Sequence, residues 1–291
     1  MSIDVLQDKI RRMKNPVVLS LEPSNQQLPP HLLQEQPTAI AAWETFYDRI
    51  METLKEQIPA LRLCLTGFLP MGTEGLSLAS RLLEKAKNMG YYVILDGLGD
   101  AWGATGEALA QSLWGSAPLY PCDAAVISGY CGTDAVTPFL PYCKEGKALF
   151  VLAKSPNRSS MDVQDLALIG RVVHTAMADL INRWGSDTRG KSGYQQVGAV
   201  VGAPYPYAMT TFRTKYDRVF TLITGLEETG ASIKGCANAF DRVGHGAAVC
   251  AGGYIMNAWA KNEGDGRDFE EKAVEAARKL KKNLTGHVTV L

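Results

Sequence analysis

Short apolar runs along this chain alternate with longer stretches in which apolar residues recur every three or four positions. The runs fall at 17–21, 61–65, 92–95, 124–127, 149–153, 197–201, 220–223 and 247–250. Each is short and apolar, as expected for parallel strands buried on both sides. Residues 38–58 carry Ile40, Trp43, Phe46, Tyr47, Ile50 and Leu54 at helical spacing, and 76–89 and 162–184 behave likewise. Eight strands alternating with helices predict an α/β fold, a single (β/α)8 TIM barrel. A short helix is expected before the first strand. An extra helix is expected at 269–284, with Phe269, Ala273, Ala276, Ala277 and Leu280 on its buried side. The rival is a doubly wound sheet, which would open on a Gly-rich phosphate turn; after the first strand the chain reads Leu21-Glu22-Pro23-Ser24-Asn25 instead. The charged stretch Asn262-Glu263-Gly264-Asp265-Gly266 reads as a loop. No linker or internal repeat interrupts the pattern, so one domain over 1–291 is expected.

A chain of 291 residues, 46% hydrophobic and 21% charged, can bury a substantial core. Lysine plus arginine and aspartate plus glutamate each number 30, so no global field favours nucleic acid or an anionic membrane. Met1-Ser2-Ile3-Asp4-Val5-Leu6 carries an acid early and is not expected to be a signal peptide. No window approaches the length of a membrane span. The six cysteines, Cys64, Cys122, Cys131, Cys143, Cys236 and Cys250, form no Cys-x-x-Cys pair and read as buried free thiols. The expected compartment is the cytoplasm. His31, His174, His245 and His287 show no metal spacing and read as structural or solvated; no metal site is expected, and there is no Gly-x-Ser-x-Gly elbow.

In such barrels the chemistry sits at the C-terminal ends of the strands. Those ends are Glu22, Thr66-Gly67, Asp96, Ser128-Gly129-Tyr130, Lys154-Ser155-Pro156-Asn157, Gly202-Ala203, Thr224-Gly225 and Ala251-Gly252-Gly253. Gly225 and Gly230, with Gly252 and Gly253, suit an anion seat, because glycines let backbone N–H groups approach oxygens. They equally suit tight strand-to-helix turns. Asp96 and Asp100 form a candidate carboxylate pair, each raising the other's pKa; alternatively Asp100 caps the helix that follows. Lys154 is either a ligand for phosphate or carboxylate or a solvated loop lysine.

The order and spacing of several segments resemble the orotidine 5′-phosphate decarboxylases of the longer bacterial type, over 15–261. The matching pieces are Asn15-Pro16-Val17-Val18-Leu19-Ser20-Leu21-Glu22-Pro23, Val93-Ile94-Leu95-Asp96 and Thr105-Gly106-Glu107-Ala108. Further on come Pro138-Phe139-Leu140, Leu149-Phe150-Val151-Leu152-Ala153-Lys154-Ser155, Val197-Gly198-Ala199-Val200-Val201-Gly202-Ala203 and Ala239-Phe240-Asp241. The resemblance implies a barrel, a homodimer with sites near the interface, and a carboxy-lyase that converts orotidine 5′-phosphate to UMP and carbon dioxide in pyrimidine synthesis. It implies no metal or organic cofactor, and a small-molecule ligand of the pyrimidine nucleotide class.

Against the family's Asp-x-Lys-x-x-Asp signature, this chain has Asp96, Leu98 where the lysine belongs, and Asp100 one residue early. The family's lysine protonates the carbon that loses its carboxylate. Leucine has no proton to give and no charge to offset the carbanion, and such contributions are commonly worth several kcal/mol each. After the seventh strand the family's Gly-rich phosphate loop is replaced by Thr224-Gly225-Leu226-Glu227-Glu228-Thr229-Gly230, and after the eighth an arginine is missing from Ala251-Gly252-Gly253-Tyr254. Glu22 replaces an aspartate and Arg62 a lysine, which keeps charge but alters geometry. The first reading is a family barrel with its reaction lost or severely weakened, serving in ligand sensing or assembly. The second is an active enzyme on a different small ligand, using Asp96, Asp100 and Lys154. The third is a true decarboxylase that recruits Lys154 or another lysine. Candidate ligand-binding residues are Glu22, Arg62, Ser128, Lys154, Asn157, Gly225, Gly230, Gly252 and Gly253.

Overall fold

All eight expected apolar runs are strands, each within a residue or two of its expected bounds. The computed structural model describes residues 1–261 and 265–290; Asn262, Glu263 and Gly264 of the expected charged loop lie outside them. The barrel strands are β1 (Val17–Leu21), β2 (Ala60–Cys64), β3 (Tyr92–Asp96), β4 (Ala124–Ser128), β5 (Ala148–Lys154), β8 (Val197–Gly202), β9 (Thr221–Thr224) and β10 (Ala247–Ala251); a small hairpin supplies β6 (Ala167–Leu168) and β7 (Arg171–Val172). The eight pair in parallel around a closed ring, β1 meeting both β2 (Leu19↔Leu61) and β10 (Val17↔Val249). Their largely apolar runs follow from this closure: one face fills the barrel and the other meets helices, so β1 and β8 are buried at every position.

The outer helices bury the stripes their spacing predicts. Ala39–Leu54 buries Ala42, Phe46, Tyr47, Ile50, Met51 and Leu54, and Thr38 caps it by accepting the Ala41 N–H at 3.1 Å. The last helix, Phe269–Thr285, packs its Phe269, Ala273, Ala276, Ala277, Leu280 and Leu284 inward, with the Phe269 ring 5.1 Å from that of Phe46. The N-terminal helix Ser2–Met13 closes the barrel's lower end. Its Ser2 hydroxyl lies 2.7 Å from the Tyr92 hydroxyl, the Ile3 N–H donates to Gln196 at 2.8 Å, and Gln7 accepts the Gly246 N–H at 3.0 Å. Each of those partners precedes or begins a strand, so the opposite end is the open one.

The helix expected at 162–184 is broken. The chain makes one turn at Met161–Gln164, crosses the β6–β7 hairpin at Gly170 (φ +73°), and becomes helical again at Val173–Trp184. The cause is tertiary. The Gln164 side chain both accepts the Ser155 N–H (2.9 Å) and donates to the Ser155 hydroxyl (2.8 Å), and Asp165 takes the Lys154 ammonium (2.8 Å). These contacts tie 164–165 to the end of β5.

Five of the six cysteines are buried; Cys131 is exposed, contrary to expectation, and all six are free. No helix among the described residues is long and apolar enough to cross a membrane.

Candidate functional site

A cavity of about 380 Å³ opens at the C-terminal ends of the strands, and its walls include Glu22, Arg62, Asp96, Leu98, Ser128 and Gly225. Among the described residues of its wall, Arg62 is the one cation and faces three carboxylates, Glu22, Asp96 and Glu228. The side chain rises from β2, and its Nε and Nη2 both stand 2.6 Å from one Asp96 carboxylate oxygen, with Glu22 at 3.6 Å from Nη1. Burial opposes the guanidinium charge, but Asp96 and, less strongly, Glu22 outweigh it and hold the Arg62 pKa above its ordinary value. The second Asp96 oxygen accepts the Gly97 N–H at 2.5 Å. Two thiols lie near this pair, and burial pushes Cys250 up to about 12 and Cys64 upward as well, so both stay protonated.

Beyond β3 the chain turns sharply. Gly97 has φ +76°, and a Cβ there would lie 2.8 Å from the Thr66 N–H nitrogen. The turn leaves Leu98 half-buried, on the cavity wall and packed against the core. Asp100 does not join Asp96: it is exposed and lines neither cavity at the mouth. Nor does Asp100 cap the next helix. Gly103–Trp114 has Trp102 at its N-cap, and the Thr105 hydroxyl bonds the Trp102 backbone. Neither role expected of Asp100 matches its position in the chain.

Lys154 is completely buried and faces away from this cavity. Its ammonium lies 2.8 Å from Asp165 and 4.4 Å from the Tyr205 ring centre, and His174 Nδ1 is 3.1 Å from the same Asp165 oxygen. Burial works against the Asp165 charge, yet Lys154 and His174 hold its pKa below the usual value. Asn157 sits beside this cluster, exposed, with its carbonyl accepting the Tyr205 hydroxyl at 3.0 Å. Lys154 therefore holds the segment leading into β6–β7 to the barrel, while Asn157 joins the loop after β5 to Tyr205.

The glycines after β9 and β10 divide by role. Gly225 has φ +75°, and a Cβ there would lie 2.2 Å from the Pro156 Cβ, so a close chain approach demands it. Gly230 and Gly253 line a second cavity of about 580 Å³, which shares Asn25 and Glu228 with the first. Between those loops lies a contact that sequence reasoning missed. A Glu227 oxygen accepts the Gly252 N–H at 3.0 Å, and the Gly253 and Tyr254 N–H groups also support this carboxylate. Burial, aided by the charge of Glu228, pushes Glu227 up to about 7 despite those N–H groups. Asn25 was also missed; its carbonyl accepts the Asn257 side-chain amide at 3.0 Å, tying the loops after β1 and β10. No local pattern announces either contact, since the partners are 25 and 232 residues apart. Among the described residues no three His, Cys, Asp or Glu side chains stand where they could hold a metal ion.

No protein-family model matches the chain. It is 27% identical over 291 residues to an orotidine 5′-phosphate decarboxylase of Rhodopirellula baltica, covering 95% of this chain and 96% of that one. The corresponding protein of Deinococcus radiodurans is 32% identical over 225 residues, 77% and 78% of the two chains. Among solved structures, the OMP decarboxylase of Leishmania donovani superposes with a TM-score of 0.74 at 25% identity, over 97% of this chain and 99% of that one. The orotidine 5′-monophosphate decarboxylase of Plasmodium berghei gives 0.78 over 99% of both chains at 14% identity, a likeness of fold alone. A closed eight-stranded barrel with its cavity at the strand ends, and relatives matching nearly end to end, lead to one assignment: the chain belongs to the orotidine 5′-phosphate decarboxylase family.

Proposed function

We propose that this chain is an orotidine 5′-phosphate decarboxylase-like barrel in which conversion of orotidine 5′-phosphate to UMP and carbon dioxide is lost or severely weakened. The barrel mouth remains a small-molecule site, serving ligand sensing or assembly. The observation that carries the reading is Leu98 on the wall of the cavity that holds Arg62 and Asp96. Loss of carbon dioxide leaves an electron pair on a ring carbon, which needs a nearby proton donor and a compensating positive charge. Leu98 supplies neither. Arg62 keeps its proton at any ordinary pH, and its charge is already spent on Asp96.

The reading that recruits Asp96, Asp100 and Lys154 for other chemistry has less support. Lys154 is buried against Asp165 and Asp100 stands outside the cavity. We treat residues 1–291 as one cytoplasmic barrel domain and the protein as a homodimer. Trp102 (61% exposed) and Tyr130 (79% exposed), on the loops after β3 and β4, support self-association beside the mouth. Incubation of purified protein with orotidine 5′-phosphate tests the central reading: no UMP should form above background, and steady turnover overturns it.

A further inference from the structure

We propose that Glu227 is a specificity-determining residue: its carboxylate fills the anion seat between the loops after β9 and β10, so the mouth takes a ligand without a phosphate group. The proposal rests on the barrel mouth being the ligand site and adds the chemical class of that ligand.

Loops after the seventh and eighth strands of such barrels are well suited to anions, because successive backbone N–H groups converge there. In this chain Gly252, Gly253 and Tyr254 present such groups, and an anion is already on them. A Glu227 oxygen accepts the Gly252 N–H at 3.0 Å, and the other two N–H groups also support the carboxylate. The fit is close: a Cβ on Gly253 would lie 3.3 Å from the second Glu227 oxygen. The occupant is covalently attached, so an incoming phosphate competes with a group at very high local concentration. It must also approach Glu228, which lines both cavities, and that like charge opposes it. Among the described residues lining the 580 Å³ cavity there is no arginine, and the one cation, Lys261, is drawn off to the Tyr254 ring, 4.6 Å from the ring centre. The rest of that wall includes Leu226, Ala231 and Ile233. An uncharged body with polar edges suits this combination; a dianion does not.

The test follows the backbone amides of Gly252, Gly253 and Tyr254 by NMR as inorganic phosphate is added at pH 8, where Glu227 is mostly ionised. The wild-type amides should stay unmoved. In Glu227→Ala the seat is empty, and the same amides should shift saturably, with phosphate affinity at least about tenfold above wild type. Glu227→Gln keeps the seat filled without the charge and should remain blocked. Glu227→Ser serves as a second opening variant should the alanine form not fold. Saturable shifts in the wild type overturn the proposal, as do silent amides in both opening variants. Equal opening by Glu227→Gln and Glu227→Ala also overturns it, because occupancy would then not be the cause. None of these outcomes depends on turnover, so detection of UMP formation from orotidine 5′-phosphate would defeat the proposed function while leaving this inference to be judged on the amides.

Discussion

The Arg62 guanidinium directs two of its nitrogens, each at 2.6 Å, to a single oxygen of Asp96. With side chains only 14% and 16% exposed, the two charges are largely withdrawn from water and depend on each other. Asp96→Asn leaves Arg62 charged with only Glu22 nearby. We expect a loss of about 2–4 kcal/mol and a fall in the melting temperature of several degrees. Asp96→Asn with Arg62→Met should recover much of that loss, because no unpaired charge remains. Calorimetry of the single and double variants checks both statements; equal losses would contradict the coupling.

This pair also shows how far the sequence could be read. The strands were legible because a barrel strand buried on both faces is a short, largely apolar run, and β1 to β5 and β8 to β10 are such runs. Asp96 ends β3, so it could be placed at the mouth; Arg62, inside β2, was legible only through the family resemblance. Leu98 was legible only beside a family signature. The destination of Lys154 was not legible, because Asp165 lies 11 residues away and reaches it only after the chain folds back. The same fold-back broke the helix expected at 162–184. Apolar residues Leu166, Leu168 and Ile169 imitate a helical stripe there, yet all three are exposed on the hairpin.

Lys154→Met should loosen that hairpin segment more than the barrel. The buried ammonium holds Asp165, and methionine fills the volume without holding it. The measurement is limited proteolysis: cleavage within 161–172 should accelerate at least about tenfold, while the melting temperature falls by only a few degrees. Unchanged protection of that segment would show that Lys154 does not anchor it.

The same ion pair gives an acid limb. Asp165 has its carboxyl lowered from the ordinary 3.8, so the folded state holds the proton less tightly than the unfolded chain. Its contribution is therefore present above about pH 4 and lost as pH falls below that value. Asp165→Asn should flatten the stability curve of the wild type in that range. Parallel curves for the two proteins would contradict the assignment.

Glu227 has the opposite sign. Its folded pKa of about 7 exceeds the ordinary 4.5, so the folded state prefers the protonated acid. That stability is fully present below about pH 4.5 and is lost as pH rises through about 7. Glu227→Gln removes the titration. It should match wild type near pH 4 and exceed it at pH 8 by on the order of 1–3 kcal/mol. Denaturant unfolding at the two pH values measures the difference; a variant less stable than wild type at pH 8 would contradict the assigned pKa.

The most direct test of the central claim is release of labelled carbon dioxide from carboxyl-labelled orotidine 5′-phosphate, with wild type and Asp96→Asn compared at equal concentration. Neither protein should release label above a protein-free blank. Steady release by the wild type that disappears in Asp96→Asn would contradict it, because the cavity holding Arg62, Asp96 and Leu98 would then be a working decarboxylase site.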